Sequence, residues 1–113
     1  MRTPKAILER RRSVRIQEAL PFRIGSKGYD FQAVTINISR HGALCLVDKD
    51  IALMTKLDIA LPVANKVIRL EGVVVRKEKD PKSGKYYTAI FFSRVKPRDG
   101  KLLKEYIDAR LKA

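Results

Sequence analysis

The 113-residue chain has one cysteine (Cys45), one histidine (His41) and no tryptophan. A single cysteine excludes an intramolecular disulfide. One cysteine and one histidine are too few soft ligands for a zinc site within one chain. Aromatic residues make up only 7%, and no strand interleaves them with basic residues as a single-strand nucleic-acid platform would. No apolar run approaches the ~20 residues of a membrane span. The charged N-terminus is not followed by an apolar stretch, so it does not read as a secretory signal, and cytoplasmic residence is expected.

Catalytic signatures are equally scarce. There is no GxxxxGK[ST] loop and no GxGxxG. A Ser–His–Asp triad can be written only around His41, which sits beside Gly42 in a turn with no nucleophile elbow. Cys45 lies in an apolar run and reads as a buried structural residue, His41 as an exposed turn residue, and Asp48 and Asp50 as solvated turn residues. No catalytic residue is assigned, and a binding module is expected rather than an enzyme. Acids are few: 12 Asp and Glu stand against 25 Lys and Arg, giving a net charge of +13 and a pI near 10.2. That excess points to an anionic partner, whether nucleic acid, nucleotide or an acidic surface.

What is present suggests one domain of mainly β structure. Hydrophobic residues reach 45%, enough for a single core at this length. Residues 1–15 form a basic arm, with Arg2, Lys5, Arg10, Arg11, Arg12 and Arg15 against Glu9 alone. Thr3-Pro4 can cap a short helix there, with Ala6, Ile7 and Leu8 on one face. Residues 16–113 then alternate with period two. Leu20, Phe22 and Ile24 mark a first strand. Tyr29 to Ile38 is a second, with Val34, Ile36 and Ile38 expected on one face. Ala43 to Val47 and Lys56 to Leu61 follow. Pro62 to Asn65 is expected to turn the chain, because proline cannot sit in a central ladder. Val67 to Lys77 is a long strand in which Gly72 suggests a bulge. Asp80 to Gly84 is a turn, and Tyr86 to Phe92 the last strand, whose Tyr86, Tyr87, Phe91 and Phe92 are assigned to core packing rather than base stacking. Leu103, Ile107 and Leu111, with Leu102 and Tyr106, fall on one face of a helix over about 97–112, with Pro97 and Asp99 as start signals. Six strands with short turns predict an antiparallel barrel or sandwich.

Two segments sharpen the functional reading. Arg11-x-x-x-Arg15 precedes the first strand, and Asn37-x-Ser39-x-x-Gly42 ends the second. An RxxxR pair alone is weak in a chain with twelve arginines; a second pair, Arg94 and Arg98, is given no ligand role. The conjunction, in this order and at strand boundaries, resembles the PilZ domain family of bacterial cyclic di-GMP receptors, over nearly the whole chain. Asn37 stands where many members of that family have Asp.

The resemblance implies a six-stranded antiparallel PilZ-like β-barrel with a C-terminal helix, and a ligand site for cyclic di-GMP built from Arg10, Arg11, Arg15, Asn37, Ser39 and Gly42, with Arg40 as an added phosphate contact. The chemistry is suited to it. A guanine edge offers O6 and N7 to an arginine fork, and a guanidinium plane can stack on a purine. Asn37 can accept or donate at a guanine edge, Ser39 can reach a base or backbone group, and Gly42 is expected to turn the chain with positive φ and admit the ligand. Arg10, directly before the motif, implies two stacked ligand molecules per domain. No metal or other cofactor is implied. With no output domain fused, the signal would pass to a separate, unidentified downstream protein when the arginine arm orders over the ligand. Two other readings stand beside this one: a basic barrel that binds nucleic acid, and a PilZ-like protein adaptor that binds no nucleotide.

Overall fold

The computed structural model describes residues 15–26 and 29–112. Six strands follow one another: β1 (Pro21–Ser26), β2 (Tyr29–Ile38), β3 (Gly42–Val47), β4 (Lys56–Val63), β5 (Lys66–Lys79) and β6 (Tyr86–Val95). One helix, α1 (Pro97–Lys112), ends the described chain. All neighbouring strands are antiparallel, and the order β1-β2-β3-β6-β5-β4 closes on itself as a barrel. Closure pairs every described strand on both sides, although β1 and β4 meet over only three residue pairs.

Period-two alternation fills the barrel. Phe22 and Ile24 from β1, Leu57, Ile59 and Leu61 from β4, and Ile68 and Leu70 from β5 all point inward and are buried. Cys45 is buried with them, and desolvation pushes its thiol pKa up to about 12. Leu103 and Ile107 bury one face of α1, whereas Leu111 is exposed, so the apolar stripe stops short of the helix end. The helix is held at both ends. Asp99 in its first turn accepts the Arg69 backbone N–H at 3.1 Å. Near its C-terminus, Tyr106 donates to Glu18 at 2.6 Å and Arg110 pairs with Glu18 at 3.3 Å.

Three details differ from the sequence expectations. Pro62 lies within β4, opposite Val67. The β1–β4 pairing ends at Arg23–Ala60, two residues short of Pro62, so its missing N–H costs no ladder bond on that side. The turn is the two residues Ala64–Asn65 alone. In β2, Val34 is exposed while Ala33 and Thr35 face the core. The β2–β3 register then skips Ile36, a bulge, and Ile38 faces inward. Val34, Ile36 and Ile38 therefore do not share a face. In β6, only Phe92 of the four aromatics is fully buried; Tyr86 packs partly against the core, and Tyr87 and Phe91 look outward. The expected irregularity at Gly72 is present: the β5–β6 register shifts between Glu71 and Gly72, where a Cβ would lie 2.5 Å from the Ile90 side chain.

Candidate functional site

Two backbone devices bring the second motif to the outer surface. The first is the bulge at Ile36. Strict alternation from Ala33 and Thr35 would point Asn37 inward. The extra residue resets the phase, so Asn37 turns outward and Ile38 fills the core. The second is the Ser39–His41 turn. Ser39 N–H donates to the Gly42 carbonyl at 2.8 Å, and the His41 N–H donates to Ser39 Oγ at 3.2 Å. Ser39 is fully buried and its hydroxyl also reaches the Gly42 carbonyl at 3.3 Å. Of the two roles open to this hydroxyl, the backbone one is formed.

Gly42 is needed for closeness rather than for handedness. It is not among the described residues of positive φ, which are Met54, Ala64 and Gly84; the expected left-handed turn is absent. A Cβ at position 42 would instead lie 2.5 Å from the Ile90 carbonyl oxygen on β6. That obstacle is backbone and cannot rotate away. The turn is fastened to β6 as well, because the Phe92 N–H donates to the His41 carbonyl at 2.8 Å.

The first motif meets the second at its last residue. Ile16 is buried and exchanges two backbone hydrogen bonds with Ile38, at 2.9 and 3.0 Å. This bridge holds Arg15 beside the end of β2. The Arg15 guanidinium donates from Nη1 to Asn37 Oδ1 at 2.7 Å, with both groups at the surface. Arg40 is exposed at the turn tip. Arg10 and Arg11 lie outside the described residues.

Arg15 and Asn37 open onto a depression of about 350 Å³ lined also by His41, Gly42, Leu44, Val75, Arg76 and Phe91. Among the described residues, no carboxylate lines it. A larger depression, about 960 Å³, lies across β1, β4, β5 and β6 and holds Arg94 and Arg98. Five cations there face four carboxylates (Asp30, Asp58, Glu71 and Asp99). Size favours the second, but sign favours the first, because a dianion would meet carboxylates in the larger one. The sequence pattern assigned Phe91 to core packing rather than stacking, whereas it looks outward, and no sequence feature singled out Arg76. Alternation with the buried Ile90 and Phe92 could have placed Phe91 outside, yet only the β3–β6 and β5–β6 pairings bring either residue beside Asn37.

A family model described as PilZ domain matches residues 9–109. The inhibitor of motility MotI/DgrA of Bacillus subtilis is similar in structure, with a TM-score of 0.74 and 24% identity over 91% of this chain. This chain spans only 52% of that one. The PilZ domain of YcgR from Escherichia coli, solved with cyclic di-GMP, has a TM-score of 0.65 and 19% identity over 88% of this chain and 90% of that chain. No curated protein matched.

Proposed function

Because the chain belongs to the PilZ domain family, we propose that it is a cyclic di-GMP receptor that passes the signal to a separate protein partner, without catalysing a reaction. The observation that carries this reading is the 2.7 Å hydrogen bond from Arg15 to Asn37. It joins the two motifs at the mouth of a depression with no carboxylate among the described residues of its lining. Arg15, held by Asn37 at one N–H, keeps further N–H groups for guanine O6 and N7 or a phosphate oxygen. Asn37, its Oδ1 engaged, presents its amide N–H₂. Gly42 keeps the backbone bare, and buried Ser39 holds the turn that aims Asn37. Arg10 and Arg11 add charge from the preceding segment, and Arg40 a phosphate contact. Arg10 sets the stoichiometry at two stacked ligands.

Calorimetric titration with cyclic di-GMP tests the reading, with GTP and a short single-stranded DNA as controls. Selective micromolar or tighter binding, with two ligands per chain, is the expected result. Arg15→Ala and Arg11→Ala should each weaken it by on the order of 2–4 kcal/mol, the loss of a charge-assisted contact. DNA binding in place of cyclic di-GMP, with a steep salt dependence, would establish the nucleic-acid barrel instead. Binding of neither would leave the adaptor reading.

A further inference from the structure

Two bulges flank the depression, one on each side. Ile36 in β2 has no partner in β3, and Val75 in β5 has no partner in β6. Each re-aims the residue that follows it. After Ile36, Asn37 turns outward; after Val75, so does Arg76. Bulges concentrate next to binding sites because they redirect a side chain without ending the strand. Between these two, the register runs straight across four strands: Asn37 opposite Leu44, Leu44 opposite Ala89, and Ala89 opposite Arg76. Three strand spacings make this row about 14 Å long. It has a cation at each end, Arg15 bonded to Asn37 and Arg76 on β5, and a low apolar floor between them.

Neither far-side residue is explained by stability. Phe91 is 50% exposed, although its neighbours Ile90 and Phe92 are buried. It faces Gly42 in register, which presents backbone and no side chain beside it. Arg76 has no ion pair among the described residues. The adjacent Lys77 has one, to Asp50.

Resting on the receptor reading above, we infer that Arg76 and Phe91 form the second half of the ligand site: Arg76 takes a second phosphate and Phe91 carries a purine face. The site then selects an extended dianion with two nucleotide halves. A mononucleotide gathers its phosphates at one end and cannot engage both cations. An arginine fork suits a phosphate edge, and an exposed aromatic ring is a stacking platform for any purine.

The test is titration of wild type, Arg76→Ala, Phe91→Ala and Phe91→Tyr with cyclic di-GMP and with GMP, at two salt concentrations. Both side chains are exposed, so melting temperatures should stay close to wild type. Arg76→Ala should weaken cyclic di-GMP about tenfold or more, flatten its salt dependence and leave GMP within about twofold. Phe91→Ala should weaken cyclic di-GMP about tenfold, and Phe91→Tyr should restore it. Wild-type binding that both alanine variants retain within about twofold would overturn the second half-site while leaving the receptor reading intact. Failure of wild type to bind cyclic di-GMP would overturn both.

Discussion

The outward rows of β2, β3 and β6 carry Val34, Leu44, Leu46, Tyr87, Ala89 and Phe91; those of β1, β4 and β5 carry Arg23, Lys56, Asp58, Arg69 and Glu71. Inside the barrel both halves are mostly apolar, although β2, β3 and β6 add the buried Thr35, Cys45 and Thr88 to the lining. Outside they differ in degree: β5 also exposes Val67 and Val75, 49% and 51% accessible, but charged outward side chains are concentrated on β1, β4 and β5. Val34 and Phe91 are 42% and 50% exposed, whereas the charged half is an ordinary solvated surface. Folding needs only the inner rows, so an exposed apolar exterior is a candidate binding surface. The candidate site lies mainly on that apolar half, with Val75 and Arg76 of β5 at its far side, and the larger, mixed-charge depression lies mainly on the other. A flat ligand with apolar base faces and two phosphates is matched by apolar floor and cationic ends, not by alternating charges.

The largest loss is expected at Gly42, where β3 runs against the backbone of β6. Gly42→Val drives a side chain into the Ile90 carbonyl. A loss of about 4 kcal/mol is expected, beyond ordinary overpacking because a backbone atom is the obstacle. Thermal melting measures it. Gly25→Ala on the charged half is the control, since a Cβ there meets nothing closer than 3.9 Å. Equal melting temperatures for the two variants would show that β3 and β6 can separate without cost.

Arginine truncation separates the halves by function rather than by stability. Arg15→Ala should remove most nucleotide affinity and leave the melting temperature within about 2 °C, since the side chain lies at the surface. Arg23→Ala on the charged half breaks an exposed pair with Asp30 at 3.0 Å, with side chains 60% and 75% accessible. It should cost no more than about 1 kcal/mol of stability and leave ligand affinity unchanged. Equal loss of affinity in both variants would mean that net charge, not the site, binds the ligand.

The part of this arrangement legible in the sequence is the local part. Alternation located all six strands because each keeps a buried face of β-branched and aliphatic residues, and the four-residue spacing of Leu103 and Ile107 located the helix. Arg15 and Asn37 were legible because each motif is short and contiguous. The bulges were not. Ile36 and Val75 are ordinary apolar strand residues, and nothing about them marks which one will lack a partner; that is settled by the neighbouring strand. Assigning Val34, Ile36 and Ile38 to one face failed for this reason. Arg76 stayed hidden, and Phe91 was assigned to the core, because β3 pairs with β6 across two intervening strands, a contact with no short-range signal. Gly42 was legible as an essential glycine, but its cause, proximity to β6 and not a positive φ, is again a matter of strand pairing.

Beneath the apolar half, Cys45 offers a pH test. Burial raises its thiol pKa from 9.0 to about 12. A folded pKa raised above the unfolded one means the full contribution holds below pH 9 and is lost as pH rises from 9 towards 12. At pH 10 the loss is about 1 kcal/mol. Melting curves from pH 8 to 10.5 should fall more steeply for wild type than for Cys45→Ala. The comparison of slopes removes the lysines and tyrosines common to both. Parallel slopes would mean that the thiol is not desolvated and that the sheet opens beneath the site.

The smallest effect is expected on the charged half, and its sign is informative. Asp58 and Glu71 stand directly opposite one another across β4 and β5, and like charges in that position destabilise a sheet. Glu71 has Arg94 on its other side, which offsets part of the repulsion. Asp58→Asn keeps the shape and removes one charge. It should raise stability by about 0.2–1 kcal/mol at low salt, and by less at 1 M salt, where the Debye length falls to about 3 Å. Denaturant midpoints at the two salt concentrations measure it. A gain that vanishes with salt identifies this half as a surface tolerated for its charge pattern rather than tuned for stability. A loss at both salt concentrations would instead make Asp58 a structural partner of Arg94 or its neighbours, and the two halves of the barrel would then differ in hydropathy alone.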